Sequence, residues 1–241
     1  MKINIITIKW GTKYDHRYPN KLFEDCKDKC TFDFDFYCVT DNKENIHNDI
    51  ICLEMPTHSN LNYYDFINDH RKDKVNLWDR PKLYLFSDFD NYFQGINIFL
   101  DLDTVVTQDL KYLTTLSQDK PWIIDMWWKT DWRENWDKLW GTRINSSVIV
   151  WTDDQCKKIT EKIVNGSSDI FVKYATIDCF IGYELTDYTN HQECFFNFLP
   201  SFVAIDDYYT WYYNKSQYPD GYLINLHSTS QLGKHSDTPG F

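Results

Sequence analysis

The sequence predicts an α/β protein in which a mostly parallel central sheet is flanked by helices. Three observations lead to this fold class. Short apolar runs rich in Ile and Val, typical of buried strands, alternate along the chain with longer segments of helical character. Several runs end in polar residues, at the strand ends where sheets of this kind bind ligands. Aromatic residues make up 18% of the 241 residues, which excludes a disordered chain.

The first half of the chain predicts a β-α-β-β-α-β series. Pro81 stands where helices often begin, and an apolar stripe follows it. In order, the predicted elements are strand Ile3 to Ile8, helix Tyr18 to Lys29, strand Phe32 to Thr40, strand Ile50 to Leu53, a polar loop over 57–76, a helix from Pro81 to about Phe93, and strand Ile96 to Leu100.

The second half continues the alternation. The predicted elements there are strand Ile144 to Trp151, helix Asp154 to Asn165, a short apolar helix from Cys194 to Leu199, and a final apolar run from Leu223 to His227. No internal repeat or linker separates the two halves, so we expect one domain over 1–241. Its first part, 1–107, ends in an acidic motif, and its second part is 108–241.

Charge and composition exclude several classes of function. The chain carries 25 Lys+Arg against 36 Asp+Glu, a net charge of −11, whereas nucleic-acid binding depends on a basic surface. No apolar run approaches the 18 or so residues of a membrane span. The seven cysteines are an odd number at irregular spacing, which favours a reducing compartment. We therefore expect a cytoplasmic protein, with peripheral contact to a membrane left open.

One acidic motif stands out by its position. The pattern D-x-D occurs three times, at 33/35, 88/90 and 101/103, but only the last directly follows a predicted strand and precedes another apolar pair. Two carboxylates spaced i, i+2 at a strand end share a face and can converge on one hard cation, Mg²⁺ or Mn²⁺. Such a cation would neutralise a diphosphate leaving group. The alternative is an Asp pair that only caps turns.

The segment from Phe99 to Val106 resembles the DxD signature of nucleotide-sugar glycosyltransferases with the Rossmann-like GT-A fold. Further segments occur in the order expected for such enzymes, and the ordered set is most similar to glycosyltransferase family 8. They are the first strand and loop Thr7–Tyr14, the second strand Phe36–Asp41, the helix start Trp78–Leu83, the strand Asn145–Val148, the pair Gln192–Glu193, and His227. The sequence departs from family 8 at His191, where the family has Asp. It also departs after His227: the family pattern is H-x-x-G-x-x-K, whereas here Gly233 and Lys234 follow the His by six and seven positions.

This resemblance implies roles for individual residues. The metal ligands would be Asp101, Asp103 and His227, and the catalytic candidate would be Gln192. Asp125 is a second catalytic candidate, as a carboxylate base and not from the resemblance. The resemblance places the following residues at the donor nucleotide-sugar: Thr7, Lys9, Lys13, Tyr14, Asp41, Lys82, Asp101, Asn145 and Lys234. Each has a structural alternative, because lysines are usually surface residues and a buried Asn, Gln or His often only satisfies backbone groups.

The tryptophans between 122 and 140 have two interpretations. Trp128, Trp132, Trp136 and Trp140 recur every four residues, a helical stripe that ordinarily packs in a core. Trp rings also stack on the C–H faces of sugars while the ring N–H remains available at the edge. Trp128, Trp132 and Trp136 are therefore also candidates for holding a carbohydrate acceptor.

The predicted function is a metal-dependent glycosyltransferase that uses a nucleoside-diphosphate sugar, most simply a UDP-sugar, and the resemblance implies retention of anomeric configuration with Gln192 near the donor sugar. An inverting enzyme would need a carboxylate base, for which Asp125, Asp153 and Glu193 are candidates. Two other classes remain open. Asp101 and Asp103 also fit the nucleophile loop of haloacid-dehalogenase-type phosphatases, and the aromatic content suits a non-catalytic carbohydrate-binding protein.

Overall fold

The structure is a computed structural model, which describes residues 1–55, 80–86, 92–128, 142–153, 155–156, 159, 176–185, 194–206 and 221–226. Several predicted features lie outside these residues. They are the loop over 57–76, most of the helix over 154–165, and the tryptophans at 132, 136 and 140.

Seven described strands form the central sheet. In chain order they are β1 Ile3–Lys9, β2 Asp35–Thr40, β3 Ile51–Glu54, β4 Ile96–Leu100, β6 Trp122–Asp125, β7 Ile144–Thr152 and β8 Asn197–Leu199, and their order across the sheet is β3-β2-β1-β4-β7-β6-β8. Strand β7 is antiparallel to both of its neighbours, and every other pairing in this sheet is parallel. The observed sheet is therefore mostly parallel, as the sequence predicts.

Each face of the central sheet buries its own core. Consecutive side chains of a strand point to opposite faces, and the neighbours Ile5 and Ile6 of β1 accordingly join two different clusters, both 0% exposed. Helix α1, Arg17–Lys29, covers the Ile5 face with Leu22, Phe23 and Cys26. Helix α2, Ile177–Glu184, covers the Ile6 face, together with a 3₁₀ helix over Arg80–Phe86.

A second, three-stranded sheet lies next to the acidic motif. It consists of β5 Thr104–Val106, β9 Ala204–Asp206 and β10 Ile224–Leu226, with β10 in the middle. A second 3₁₀ helix, Leu110–Thr115, follows β5. Strand β10 is antiparallel to β5, and its last residue, Leu226, is the register partner of Thr104. The end of β10 thus lies beside the residue that follows Asp103.

The prediction of a helix from Cys194 to Leu199 is wrong. Asn197–Leu199 is instead strand β8, which pairs in parallel with β6 and whose Asn197 N–H donates to Pro121 O at 2.8 Å. The segment is rich in Phe, a residue that favours strands, and the unpaired edge of β6 supplies its hydrogen bonds. Local pattern could not supply this information, because the partner strand lies more than 70 residues away.

Helix α2 is absent from the sequence prediction. Five of its residues are buried, on more than one side, so it shows no amphipathic period. Its one sequence signal is Thr176, whose side chain accepts a hydrogen bond from Cys179 N–H at the helix start. None of the seven cysteines forms a disulfide. No described helix is long and apolar enough to cross a membrane.

Candidate active site

Five chain segments meet at one edge of the central sheet. The parallel strands β1, β2, β4 and β6 all end at this edge, and the antiparallel strand β7 begins there. Backbone polar groups at strand ends have no further ladder partners, and the loops that follow can turn side chains toward a ligand. The motif Asp101-Leu102-Asp103 directly follows β4 at this edge.

The acidic motif is a tight turn held by backbone hydrogen bonds. Asp101 N–H donates to Ser147 O at 2.9 Å, which extends the pairing of β4 with β7 by one residue. The N–H of Thr104 and its hydroxyl both donate to Asp101 O, at 3.2 and 2.7 Å. The turn therefore holds both Asp side chains in the same cavity.

Lys82 forms an ion pair with the first carboxylate of the motif. Its Nζ lies 2.8 Å from Asp101 Oδ2 and 3.0 Å from Ser146 Oγ, and the lysine side chain is 11% exposed. A buried ammonium requires partners because desolvation of an isolated charge is costly. The 3₁₀ helix that begins at Arg80 places Lys82 at the site.

Tyr14 binds the second carboxylate. Its hydroxyl donates to Asp103 Oδ2 at 2.7 Å, while its ring packs edge-on against Tyr18 with 4.8 Å between centroids. The ammonium of Lys13, itself exposed, lies 4.7 Å from the centre of the Tyr14 ring. Both residues belong to the loop between β1 and α1, so this loop closes one side of the site.

The site disfavours a second negative charge. The pKa of Asp103 is raised to about 6, first because burial removes water from its carboxylate and then because the charge of Asp101 is close. The hydrogen bond from Tyr14 and the charges of Lys13 and Lys82 act in the opposite direction. A cation bound between the two carboxylates would offset both the loss of solvation and the repulsion between their charges.

A cavity of about 170 Å³ opens between these residues. The described residues that line it are Ile8, Trp10, Lys13, Tyr14, Pro81, Lys82, Phe99, Asp101, Leu102 and Asp103. Among the described residues, no group of three or more His, Cys, Asp or Glu comes together as a complete metal site. Mg²⁺ and Mn²⁺ are commonly held by one or two carboxylates with phosphate oxygens completing the coordination, so the donor set of Asp101 and Asp103 fits such an ion.

The predicted donor-binding residues of β1 do not line this cavity. Strand alternation turns Ile8 toward it, whereas Thr7 and Lys9 point to the opposite face and are 0% and 5% exposed. Lys9 Nζ lies 3.9 Å from Asp41 Oδ1. Asp41 is exposed and accepts a hydrogen bond from Gly11 N–H at 2.8 Å. It therefore holds the loop that follows β1 and does not line the cavity.

At the start of β7, Ser146 contacts the site, although the sequence predicted Asn145 instead. The Asn145 side chain turns to its own backbone, where its Oδ1 accepts a hydrogen bond from Ser147 N–H at 2.8 Å. Ser146, 1% exposed, bonds Lys82 through its hydroxyl and donates its N–H to Asp178 Oδ1 at 2.9 Å. Alternation along β7 is the signal that would have separated Ser146 from Asn145, whereas Asp178 depends on the undetected helix α2.

Asp125 is engaged by Arg143. Arg143 Nε donates to Asp125 Oδ1 at 2.7 Å, and its Nη2 donates to Oδ2. Such a two-point pair occupies both oxygens of the carboxylate. The structure thus places this predicted catalytic residue at the site edge in an ion pair that joins the end of β6 to the start of β7.

Trp128 is a core residue. It is 9% exposed and packs in the same cluster as Leu22 and Val148, so packing accounts for it and it presents little ring surface to an acceptor. The adjacent Trp127 is partly exposed and lies parallel to Tyr222, at 6.5 Å between ring centres. The remaining predicted site residues, Gln192, His227, Lys234, Trp132 and Trp136, lie outside the described residues.

The fold matches solved structures of glycosyltransferases. The galactosyltransferase LgtC in complex with donor and acceptor sugar analogues matches with a TM-score of 0.54 and 13% identity, over 93% of this chain and 86% of that one. Mouse xyloside xylosyltransferase 1 matches with a TM-score of 0.53 and 10% identity, over 94% and 97%. A glycosyltransferase involved in glycosylation of the major capsid of PBCV-1 matches with a TM-score of 0.50 and 14% identity, over 99% and 100%.

No protein-family model and no curated protein sequence matches the chain. At these low identities the structural likeness establishes the fold, which is the GT-A arrangement of a mostly parallel sheet flanked by helices. Function has to be argued from the site.

Proposed function

We propose that this protein is a metal-dependent glycosyltransferase that transfers a sugar from a nucleoside-diphosphate sugar, most simply a UDP-sugar, to a hydroxyl acceptor. The observation that carries the proposal is the pairing of Asp101 and Asp103 with Lys82 and Lys13 around one cavity at the carboxyl edge of a GT-A sheet. Two carboxylates and two cations in one cavity suit a ligand that brings both a divalent ion and a diphosphate.

Asp101 and Asp103 would hold Mn²⁺ or Mg²⁺, with His227 as the third protein ligand. The register of β10 supports this assignment, because Leu226 is the partner of Thr104 and His227 is the next residue in the sequence. Such an ion supplies Lewis-acid stabilisation of a diphosphate leaving group. The protein's own cations, Lys13 and Lys82, add positive charge at the same place, and Lys234 is a further candidate.

The stereochemical course is part of the proposal. Asp125 is a poor base because Arg143 holds both of its oxygens. The candidate base Glu193 lies outside the described residues. The retaining course, with Gln192 near the donor sugar, rests on the resemblance to family 8. The anomeric configuration of the product formed from a defined UDP-sugar, determined by NMR, would decide between retention and inversion.

For the acceptor, we propose that Trp127 stacks on the sugar, because the ring of Trp128 is buried. The partly exposed ring of Trp127, parallel to Tyr222, follows β6 at the same sheet edge as the acidic motif. A Trp127→Ala variant should raise the acceptor KM with little change in the donor KM. A Trp128→Ala variant should instead lower stability by about 3 kcal/mol or more, as expected for loss of a buried Trp.

The test of the proposed reaction is release of nucleoside diphosphate from a panel of nucleotide-sugars, with Mn²⁺ or with a chelator. We expect Mn²⁺-stimulated release by the wild type, and its loss in Asp103→Asn and in His227→Ala. Full activity in either variant would refute that residue's assignment as a ligand.

The same panel separates the competing classes. A phosphatase would liberate inorganic phosphate from phosphomonoesters and leave UDP-sugars intact. A carbohydrate-binding protein would bind glycans without metal and with equal affinity after Asp103→Ala. Either outcome would replace the proposed function.

A further inference from the structure

The two carboxylates of the acidic motif are held in the same way. Asp101 has its Oδ2 bonded to Lys82 Nζ at 2.8 Å, and Asp103 has its Oδ2 bonded to the Tyr14 hydroxyl at 2.7 Å. Among the described residues, none forms a hydrogen bond or ion pair with the Oδ1 atom of Asp101 or Asp103. The described residues therefore fix one oxygen of each carboxylate and leave the other unengaged.

The Tyr14 side chain is itself fixed on two sides. Its ring contacts Tyr18 of α1, which is 4% exposed, and the Lys13 ammonium lies over it. The loop that carries Tyr14 is tied down at Gly11, whose backbone φ of 63° lies in the left-handed region and whose N–H bonds Asp41. A rigidly held phenol can set the orientation of the carboxylate that it binds.

We propose that Tyr14 is a positioning residue that orients the Asp103 carboxylate for a divalent cation, so that the β1–α1 loop forms part of the metal site. Carboxylates that bind metals are ordinarily held by hydrogen bonds from a surrounding shell, and loss of one such bond costs about 10- to 100-fold in metal affinity. This inference rests on the proposed function, because it assumes that Asp103 is a metal ligand. It adds a role for Tyr14 that is independent of nucleotide contact.

The experiment measures Mn²⁺ binding directly, from the electron paramagnetic resonance signal of free Mn²⁺, without nucleotide. Tyr14→Phe removes the hydroxyl and keeps the ring. We expect the Mn²⁺ dissociation constant to rise by about 10-fold.

Tyr37→Phe is the matched control. The Tyr37 hydroxyl also meets a carboxylate, donating to Asp35 Oδ2 at 3.4 Å while accepting from Lys2 Nζ at 2.9 Å. Asp35 begins β2, so this pair lies at the opposite edge of the sheet from the acidic motif. Mn²⁺ affinity of Tyr37→Phe should equal that of the wild type.

The outcomes separate this inference from the function beneath it. If Asp103→Asn loses Mn²⁺ binding while Tyr14→Phe keeps wild-type affinity, the positioning role is wrong and the metal site stands. If Asp103→Asn binds Mn²⁺ as the wild type does, or the wild type binds none, the metal site and this inference both fail. An equal loss in Tyr14→Phe and Tyr37→Phe would show a general effect on folding and would also overturn the inference.

Discussion

Lys82 and Asp101 form an ion pair at the floor of the candidate site, with 2.8 Å between Nζ and Oδ2. The two side chains are only 11% and 23% exposed, so both charges lose most of their solvation on folding. The ion pair offsets part of that desolvation cost.

Replacing Lys82 should therefore destabilise the protein. Lys82→Met leaves the Asp101 carboxylate without its cation, and we expect the free energy of unfolding to fall by about 1–3 kcal/mol. Urea denaturation with a chelator present measures the change. Lys27→Met is the control, because the Lys27–Asp49 pair is 64% and 61% exposed at 3.5 Å and such pairs contribute little. Equal losses in the two variants would contradict this account.

Asp103→Asn should stabilise the metal-free protein at neutral pH. The folded pKa of about 6 lies above the ordinary 3.8, so the folded state binds the Asp103 proton more tightly than the unfolded state does. That contribution to stability is present below pH 3.8 and is lost as the pH rises through 6. Asn cannot ionise and avoids the loss.

We expect Asp103→Asn to be more stable than the wild type by about 3 kcal/mol at pH 7, since the pKa is raised from 3.8 to about 6 and one pKa unit corresponds to about 1.4 kcal/mol. The difference should shrink as the pH falls toward 4. Urea denaturation of both proteins at the two pH values, with a chelator, measures it. A variant that is less stable at pH 7, or a pH-independent difference, would contradict the burial of this carboxylate.

Asp125→Asn should behave as a structural change. Arg143 would lose its charge partner, and we expect a stability loss of about 1–2 kcal/mol because the pair is largely buried, with side chains 29% and 18% exposed. Removal of a general base typically lowers kcat by about 10²–10⁴-fold, whereas we expect less than about 10-fold here. Initial rates of nucleoside-diphosphate release, read beside unfolding curves, test this. A large rate loss at unchanged stability would restore Asp125 as the base.

Gly95→Ala should strongly destabilise the entry into β4. Gly95 has φ +94°, and an added Cβ would lie 2.3 Å from Lys2 O, the oxygen that accepts a hydrogen bond from Ile96 N–H. Gly221 has φ +105° with nothing within 4 Å of an added Cβ, so it isolates the backbone term. We expect about 1 kcal/mol for Gly221→Ala and at least about 2 kcal/mol more for Gly95→Ala. Similar unfolding free energies for the two variants would contradict the predicted clash.

Sequence reasoning was most reliable where the signal was local. Short apolar runs located β1, β4 and β7 within a residue or two, because burial on both faces of a sheet leaves a continuous apolar run. It failed at β8, where a partner strand decides the structure of a Phe-rich segment, and at α2, which is buried on several sides and lacks a period.

The α/β class and the importance of Asp101 and Asp103 could be predicted without a structure, since chain order places that pair at the end of an apolar strand. The side chains that meet the pair could not, because they come from distant parts of the chain. Tyr14 lies 89 residues before Asp103, and Lys82 lies 19 residues before Asp101. Strand alternation turns Ile8 toward the cavity and Thr7 and Lys9 away from it. Arg143 holds Asp125 in an ion pair. These outcomes depend on pairing between distant segments, which no local pattern records.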